Sequence, residues 1–166
     1  SSDTDLALAL WGEPQVARFL HAAGPPPASA IEARLALEIA SQADAGMQYW
    51  PIFSREDGAH VGCCGLHLET QGGFGRTTPR WPERGRVLEL GFHLRPEHWG
   101  RGLATEASRA VIAYAFDRLG AAAVFAGHHP DNEGSRATLR KLGFRYVHHE
   151  LYAPTGLQHP CYLLER

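Results

Sequence analysis

The chain reads as an α/β protein, and three observations carry that reading. Alanine- and leucine-rich stretches at helical spacing open the chain, apolar runs of strand length bounded by turn residues fill its middle and end, and one strand leads through a glycine loop into a strong helix. The first helical pattern runs from Thr4 to His21, breaks at the stiff Gly24-Pro25-Pro26-Pro27 run and resumes from Ser29 to about Ala43. Met47 to Ser54 and His60 to Glu69 read as an antiparallel pair joined by Glu56-Asp57-Gly58. The long segment from Gln71 to Gly85 mixes turn formers, arginines expected at the surface and the aromatics Phe74 and Trp81, which suits either a mobile flap or a solvated loop. Val87 to Leu94 is rich in branched and aromatic side chains and reads as a strand ending at Pro96. Ala104, Ala107, Val111, Ala115 and Leu119 then repeat at helical spacing until Gly120. Ala122 to Gly127 is a further strand, a helix opens at Asn132, and Arg145 to Leu164 reads as a closing hairpin.

Composition sets bounds on this outline. A chain of 166 residues with 44% hydrophobic content can bury one real core and is short for two, so residues 1–166 are expected to form one domain. A formal net charge of −2 carries no basic footprint and argues against general nucleic-acid binding. Cys63 and Cys64 are adjacent in a strand-like run and so point to opposite faces, while Cys161 is distant; no disulfide framework is indicated. No apolar run approaches the roughly 20 residues of a membrane span, and the first residues lack a basic-then-apolar leader, so a soluble, cytoplasmic protein is expected. The pairs His128-His129 and His148-His149 lack a spaced ligand set, and neighbouring strand side chains diverge, so no metal is expected.

The chemistry concentrates at Trp99-Gly100-Arg101-Gly102-Leu103-Ala104, between the strand at 87–94 and the following helix. Gly100 and Gly102 let the backbone curl and bring successive N–H groups toward one point, and a helix N-terminus adds unpaired donors and a partial positive charge. The pattern lacks the Gly-Lys-Ser/Thr ending of a nucleotide loop and the full three-glycine dinucleotide spacing. A pyrophosphate held without metal remains as the ligand; a turn that merely reverses the chain is the alternative.

This run resembles the acetyl-coenzyme A loop of the GNAT superfamily of N-acetyltransferases, nearest its Rim-type branch. The superfamily motif, Gln/Arg-x-x-Gly-x-Gly/Ala, falls on Trp99 to Ala104, with Trp99 departing from the usual first residue as in the Rim-type pattern. A second block agrees: Asn132-Glu133-Gly134-Ser135 leading to Lys141-Leu142-Gly143-Phe144 is similar to the branch's Asn-x-x-Ser helix and Lys-Leu-Gly-Phe ending. The resemblance implies a mixed, mostly antiparallel central sheet flanked by helices and splayed at the acetyl-coenzyme A site. It also implies a strand ahead of the first helix, where this sequence starts almost directly in the helix. An absent edge strand would expose backbone groups on its neighbour at a cost to stability or to dimerisation, and a homodimer is one assembly left open.

What the resemblance implies for chemistry is direct transfer of acetyl from acetyl-coenzyme A to a primary amine, with no metal. Pantetheine is expected along the gap between the strands 87–94 and 122–127, against the backbone of Phe92, His93 and Leu94, with Trp99, Gly100, Arg101, Gly102, Leu103 and Ala104 at the diphosphate and Asn132 and Ser135 along the carrier. An ammonium must lose a proton before it attacks, and Glu89 is the first acceptor for it, either acting in catalysis or serving as an ion-pairing or pocket residue. His93 is second, as a histidine able to titrate near neutrality or as a packing residue; alternation puts it on the same face as Glu89. Many GNAT enzymes protonate the leaving thiolate with a tyrosine whose position here is Leu139, which leaves Ser135 as the substitute, or no acid at all. Asn132 and Ser135 also fit a plain helix cap. Arg101, Arg136 and Arg140 are further candidates for the phosphates. The acceptor reads as a protein N-terminal amine or a small-molecule amine, and the scarcity of acids in the 71–85 loop and the proline turn argues mildly against a highly cationic one. A catalytically silent coenzyme A-binding sensor or assembly module is the alternative class.

Overall fold

The computed structural model describes residues 2–70, 74 and 77–166. Three helices lead: α1 (Asp3–Trp11), α2 (Pro14–Ala17) and α3 (Ala28–Ala45). The single helix expected over Thr4–His21 is thus two. Pro14 has no N–H to donate, and Glu13 takes an extended conformation whose side chain accepts from the Gln15 N–H, capping α2 afresh. At the start of α1, Ser2 and Asp5 form a reciprocal capping box. Gly46, in the left-handed conformation, ends α3.

The strands follow as β1 (Tyr49–Phe53), β2 (His60–Leu68), β3 (Val87–Leu94), β4 (Ala123–Gly127), β5 (Arg145–Tyr152) and β6 (Leu157–Glu165), with α4 (Leu103–Asp117) between β3 and β4 and α5 (Glu133–Lys141) between β4 and β5. They form one six-stranded sheet in the order β1-β2-β3-β4-β6-β5. Every neighbouring pair is antiparallel except β3 and β4. That one parallel pair is what α4 makes possible, since parallel neighbours need a crossover. The mixed, mostly antiparallel sheet with flanking helices is the expected class.

Strand alternation sorts the side chains into two faces. Cys64, Leu66, Leu88, Leu90 and Val124 pack on one face with Ile112 and Ala115 of α4 and Leu139 of α5. The other face is covered in two patches. Leu10, Trp11, Val16 and Ile31 of the leading helices pack on Cys63, while Phe74, beside Trp81, packs on Val87, Phe125, Cys161 and Leu163. Cys63 and Cys64 therefore point to opposite faces, and all three cysteines are free and buried. Among the described residues no helix is long and apolar enough to cross a membrane.

Candidate active site

The parallel pairing of β3 with β4 runs only through Val87↔Ala123, Leu88↔Val124 and Glu89↔Phe125. Beyond Glu89 the strands part, and a cleft of about 1030 Å³ opens between them. It passes from the starts of α4 and α5 on one face of the sheet to Glu38, Tyr49, His67, Glu89 and Tyr152 on the other.

The backbone of β3 is directional at this gap. The Arg95 N–H donates to the Val61 carbonyl at 2.9 Å. Residues that exchange antiparallel hydrogen bonds recur at every second position, so Glu89, Gly91 and His93, opposite His67, Gly65 and Cys63, turn their backbone groups toward β2. Phe92 and Leu94 turn theirs toward the cleft. The Leu94 carbonyl accepts from the Trp99 indole N–H at 2.7 Å, which ties the loop to the end of β3. The expectation that the His93 backbone lines the cleft is corrected by this phase: only its side chain does.

At the far side of the loop, Gly100 (φ 73°) and Gly102 (φ 79°) both lie in the left-handed region. A Cβ on either would meet no atom within 4 Å, so the demand for glycine is conformational and the space before them is open. Gly102 precedes α4 and has no side chain with which to cap it, so the N–H groups of Leu103, Ala104 and Thr105 keep their capacity to bind an anion. The loop thus has the form an anionic diphosphate requires. Arg101 lies exposed, its guanidinium 3.3 Å from His98 Nδ1. At the head of α5, Asn132 accepts from the Ser135 N–H at 3.0 Å, so its side chain serves as the helix cap while both residues line the cleft. Arg136 pairs with Glu133 at 3.2 Å on the exposed face of that helix.

Glu89 sits where the strands part, 8% exposed, and its Oε2 has no hydrogen-bond partner among the described residues. Burial pushes its carboxyl up to about 7; His67 and Arg80 pull it down, and Glu69 and Glu150 push it further up. His93 is different. Its Nδ1 accepts from the Trp11 indole N–H at 3.2 Å and lies 3.6 Å from Cys63 Sγ. Burial, with Arg34, His67 and His21 nearby, holds it well below the ordinary histidine range. Of the two readings of His93, the packing one is supported: it is a neutral imidazole that pins α1 to β3.

A family model described as the acetyltransferase (GNAT) domain matches residues 1–145. The chain belongs to the GNAT acetyltransferases. Among its relatives, the uncharacterized N-acetyltransferase YoaA of Bacillus subtilis is 32% identical over 58% of this chain and 48% of its own length. The uncharacterized N-acetyltransferase p20 of Bacillus licheniformis is 27% identical over 86% of this chain and 74% of its own. The chain thus spans about half of YoaA and about three quarters of p20. In fold it is similar to the aminoglycoside acetyltransferase AAC(6')-Ib in complex with ribostamycin and coenzyme A (TM-score 0.77, 15% identity, 99% of this chain and 88% of that one). It is also similar to the ribosomal-protein-S5-alanine acetyltransferase of Vibrio fischeri (TM-score 0.67, 16% identity, 99% and 90%).

Within this GNAT frame the site contains residues that motif reading did not single out. Glu38 faces inward from α3, 3% exposed, and its Oε2 takes His67 Nε2 at 2.9 Å and the Tyr49 N–H at 2.8 Å. Tyr49 stacks on His67 with ring centroids 4.1 Å apart, and a side chain on Gly91 would land on its hydroxyl. Across the gap Phe74 lies over Gly127, where a Cβ would come within 2.6 Å of its ring. A signal for Glu38 exists in the sequence: Ile31, Leu35, Glu38, Gln42 and Ala45 fall on one helical stripe, so two polar side chains interrupt an inward face.

The 71–85 segment also departs from expectation. Residues 71–73, 75 and 76 lie outside the described residues, but Arg80 is buried and not a surface arginine. Its Nε donates to Glu150 at 2.8 Å, its Nη1 contacts Glu69 at 3.4 Å, and its guanidinium lies 4.1 Å from the centre of the Phe125 ring. Together with Phe74 and Trp81 it fastens this stretch to the sheet. The histidine pairs are used in ordinary hydrogen bonds: His128 reaches the His129 carbonyl and Tyr162, and His149 reaches Tyr146. Ligand-type atoms of His148, Glu150 and Cys161 lie within 4.8 Å of one another. The Glu150 oxygen between them already accepts from Arg80 Nε, and a guanidinium at that point opposes a second cation.

Proposed function

We propose that this chain transfers acetyl from acetyl-coenzyme A to a primary amine inside the β3–β4 cleft. The observation that carries this reading is the buried Glu89 carboxylate at the point where the one parallel strand pair parts, with an uncapped helix N-terminus at the other end of the same opening. AAC(6')-Ib binds coenzyme A in a similar fold, and the loop from Trp99 to Ala104 with the open start of α4 is where the diphosphate would be held in this chain. Bound there, acetyl-coenzyme A supplies an activated thioester.

The chain's own residues then divide the work. The N–H groups of Phe92 and Leu94 face the cleft and are positioned to pair with amide-like carbonyls and to stabilise a developing oxyanion. Glu89 takes the proton from the acceptor's ammonium, leaving a neutral amine to attack the acetyl carbonyl. With its pKa near 7, it is a stronger proton acceptor than an exposed carboxylate and still ionises at neutral pH. Ser135, on the cleft wall, offers a hydroxyl to the leaving sulfur, the role that Leu139 cannot fill. His93 braces β3 as a neutral imidazole and takes no part in moving the proton.

The Rim-type motifs and the Vibrio fischeri neighbour support a protein N-terminal amine as acceptor, and AAC(6')-Ib with ribostamycin supports a small-molecule amine. Either acceptor is favoured as a cation: Glu38 and Glu89 from α3 and β3 stand at the acceptor end, acids that the loop segments alone did not reveal. Three free thiols fit a reducing compartment, which supports a cytoplasmic enzyme.

The test is thiol release from acetyl-coenzyme A across a panel of peptide and small-molecule amines, beside calorimetric binding of acetyl-coenzyme A. Turnover that falls in Glu89→Gln and Ser135→Ala while binding persists supports the reading. Binding without turnover by the wild type on any amine would convert the protein to a silent coenzyme A-binding module, and absence of binding removes both.

A further inference from the structure

Glu89 poses a problem that the acetyl-transfer reading leaves open. A buried carboxylate that takes a proton in each turnover must pass it on before the next. Its own strand offers no route, since His93 is neutral with Nδ1 occupied by Trp11.

The adjacent strand does. His67 stands directly opposite Glu89 in the β2–β3 register, so both side chains share one face, with Cβ atoms of such a pair about 4.5–5.5 Å apart. The His67 ring is held on two sides. Tyr49 stacks on it with planes only 6° apart, and Nε2 lies 2.9 Å from Glu38 Oε2. Glu38 is in turn fixed by the Tyr49 N–H, with Arg34 Nε at 3.9 Å from its other oxygen. Burial pulls the Glu38 carboxyl upward, but the His67 and Tyr49 hydrogen bonds and the Arg34 charge outweigh it and hold it below the ordinary value. Glu38 is therefore an acceptor toward His67 Nε2, and in the neutral ring with its hydrogen on Nε2 the second nitrogen, Nδ1, has the lone pair. The His67 side chain is 18% exposed, against 4% for Glu38, so it reaches solvent where Glu38 does not.

We infer that the Glu38–His67 pair is the proton exit of this site, a relay that empties Glu89 after each acetyl transfer. The inference rests on the proposed acetyl transfer. The acceptor's proton first breaks from nitrogen and forms the O–H of Glu89. That O–H then breaks as a water between the two residues takes its proton and passes one of its own to His67 Nδ1, giving an imidazolium whose Nε2–H remains on the Glu38 carboxylate. Loss of the Nδ1 proton to water restores the starting state, so one proton leaves per acetyl moved and nothing is oxidised or reduced. In this relay Glu38 and His67 act on the proton through Glu89.

The groups facing Glu89 come from every element around it: His67 from β2, Glu69 just after that strand, Arg80 from the segment before β3, and Glu150 from β5. Tyr49 of β1 and Tyr152 of β5 feel its charge as well. Of these, His67 alone combines a second proton-binding nitrogen with access to water and a carboxylate that orients it.

The experiment is chemical rescue. His67→Ala is expected to lower kcat by about tenfold to a hundredfold, the lower range of general acid–base contributions, with both KM values nearly unchanged, and added imidazole is expected to restore turnover through the vacated, partly open site. Glu38→Gln, which can still accept from Nε2–H and from Tyr49 N–H, should lose less. Unchanged kcat in His67→Ala overturns the relay, as does a loss that imidazole leaves untouched while the variant melts like the wild type; should His67→Ala not fold, His67→Gln takes its place. A second measurement needs no acceptor: the Glu89 carboxyl, titrated by infrared or carbon-13 signals in the substrate-free protein, should have its midpoint moved upward by His67→Ala. A wild type inactive on every amine sinks the acetyl-transfer reading, while an unmoved Glu89 midpoint sinks the coupling on which the relay depends.

Discussion

Replacing Glu89 by Gln should make the protein more stable and less active at the same pH. The stability side follows from linkage. A carboxyl whose pKa is raised from 4.5 to about 7 by folding favours the folded state when protonated. Its contribution is fully present below about 4.5, and it is lost as pH climbs through about 7. At about 1.4 kcal/mol per pKa unit, the wild type gives up roughly 3 kcal/mol between pH 4.5 and pH 8 from this one group, reduced by whatever relaxation or water entry the ionised site permits. Glutamine has the same shape and no charge to desolvate. Glu89→Gln should therefore match the wild type near pH 4.5 and exceed it at pH 8, read by urea denaturation at the two pH values.

The activity side runs the other way, because glutamine accepts no proton. Loss of a general base costs typically 10²–10⁴-fold, and the wild-type kcat/KM should rise with pH through about 7, the midpoint set for Glu89. The reasoning is refuted if the variant is less stable than the wild type at pH 8, or if kcat/KM is flat from pH 6 to 8 with an acceptor whose own amine pKa lies well outside that window.

Four further outcomes are expected. Gly102→Ala places a side chain at φ 79°, a strain of about 1–2 kcal/mol, and calorimetry should show acetyl-coenzyme A bound about tenfold more weakly. Gly91→Ala drives a methyl group onto the Tyr49 hydroxyl; overpacking of this kind costs about 1–3 kcal/mol, visible in denaturant melts, and it disturbs the ring that steadies His67. Arg80→Met leaves the Glu69 and Glu150 carboxylates without the guanidinium between them, a loss of about 3–5 kcal/mol for a buried pair broken on one side, and it should move the acid limb of the activity profile upward because Arg80 holds Glu89 down. Cys63 and Cys161, whose thiols burial pushes to about 12, and Cys64, pushed to about 11, should resist a thiol-specific colorimetric reagent until the protein is unfolded.

How much of this was legible depends on whether the deciding partner lies nearby in the chain. Strand β3 has the bounds that its own apolar run predicts, Val87 to Leu94, because branched side chains and the following Pro96 decide both ends locally. The glycine loop is similarly local: left-handed Gly100 and Gly102 declare themselves by residue type. Pro14 was equally visible, yet the continuous apolar spacing from Thr4 onward masked the break it makes. Arg80 was not legible, since one of its partners, Glu150, is 70 residues away. His93 shows the same limit in chemistry. For a histidine on a strand facing a cleft the sequence leaves a proton carrier and a packing residue both open, and only the arrival of Trp11 from 82 residues earlier decides for a hydrogen-bonded brace.

The position of Glu89 explains why one carboxylate oxygen, Oε2, can have no hydrogen-bond partner among the described residues inside a packed sheet. The face it occupies is covered by two separate patches, the α1–α3 cluster around Trp11 and the cluster of Phe74, Phe125 and Leu163, and Glu89 lies on the seam between them. Each patch reaches the seam by laying an aromatic ring over a glycine: Tyr49 over Gly91 and Phe74 over Gly127. A side chain at either glycine would push those rings outward and let water flood the carboxylate. With glycine there, the rings close over the strands, Glu89 is desolvated, and its pKa rises toward the pH at which an amine must give up its proton. The same parting of β3 from β4 that opens room for a thioester therefore also determines the basicity of the group beside it. A substitution that restored pairing beyond Glu89↔Phe125 would stabilise the sheet and remove both halves of the site at once.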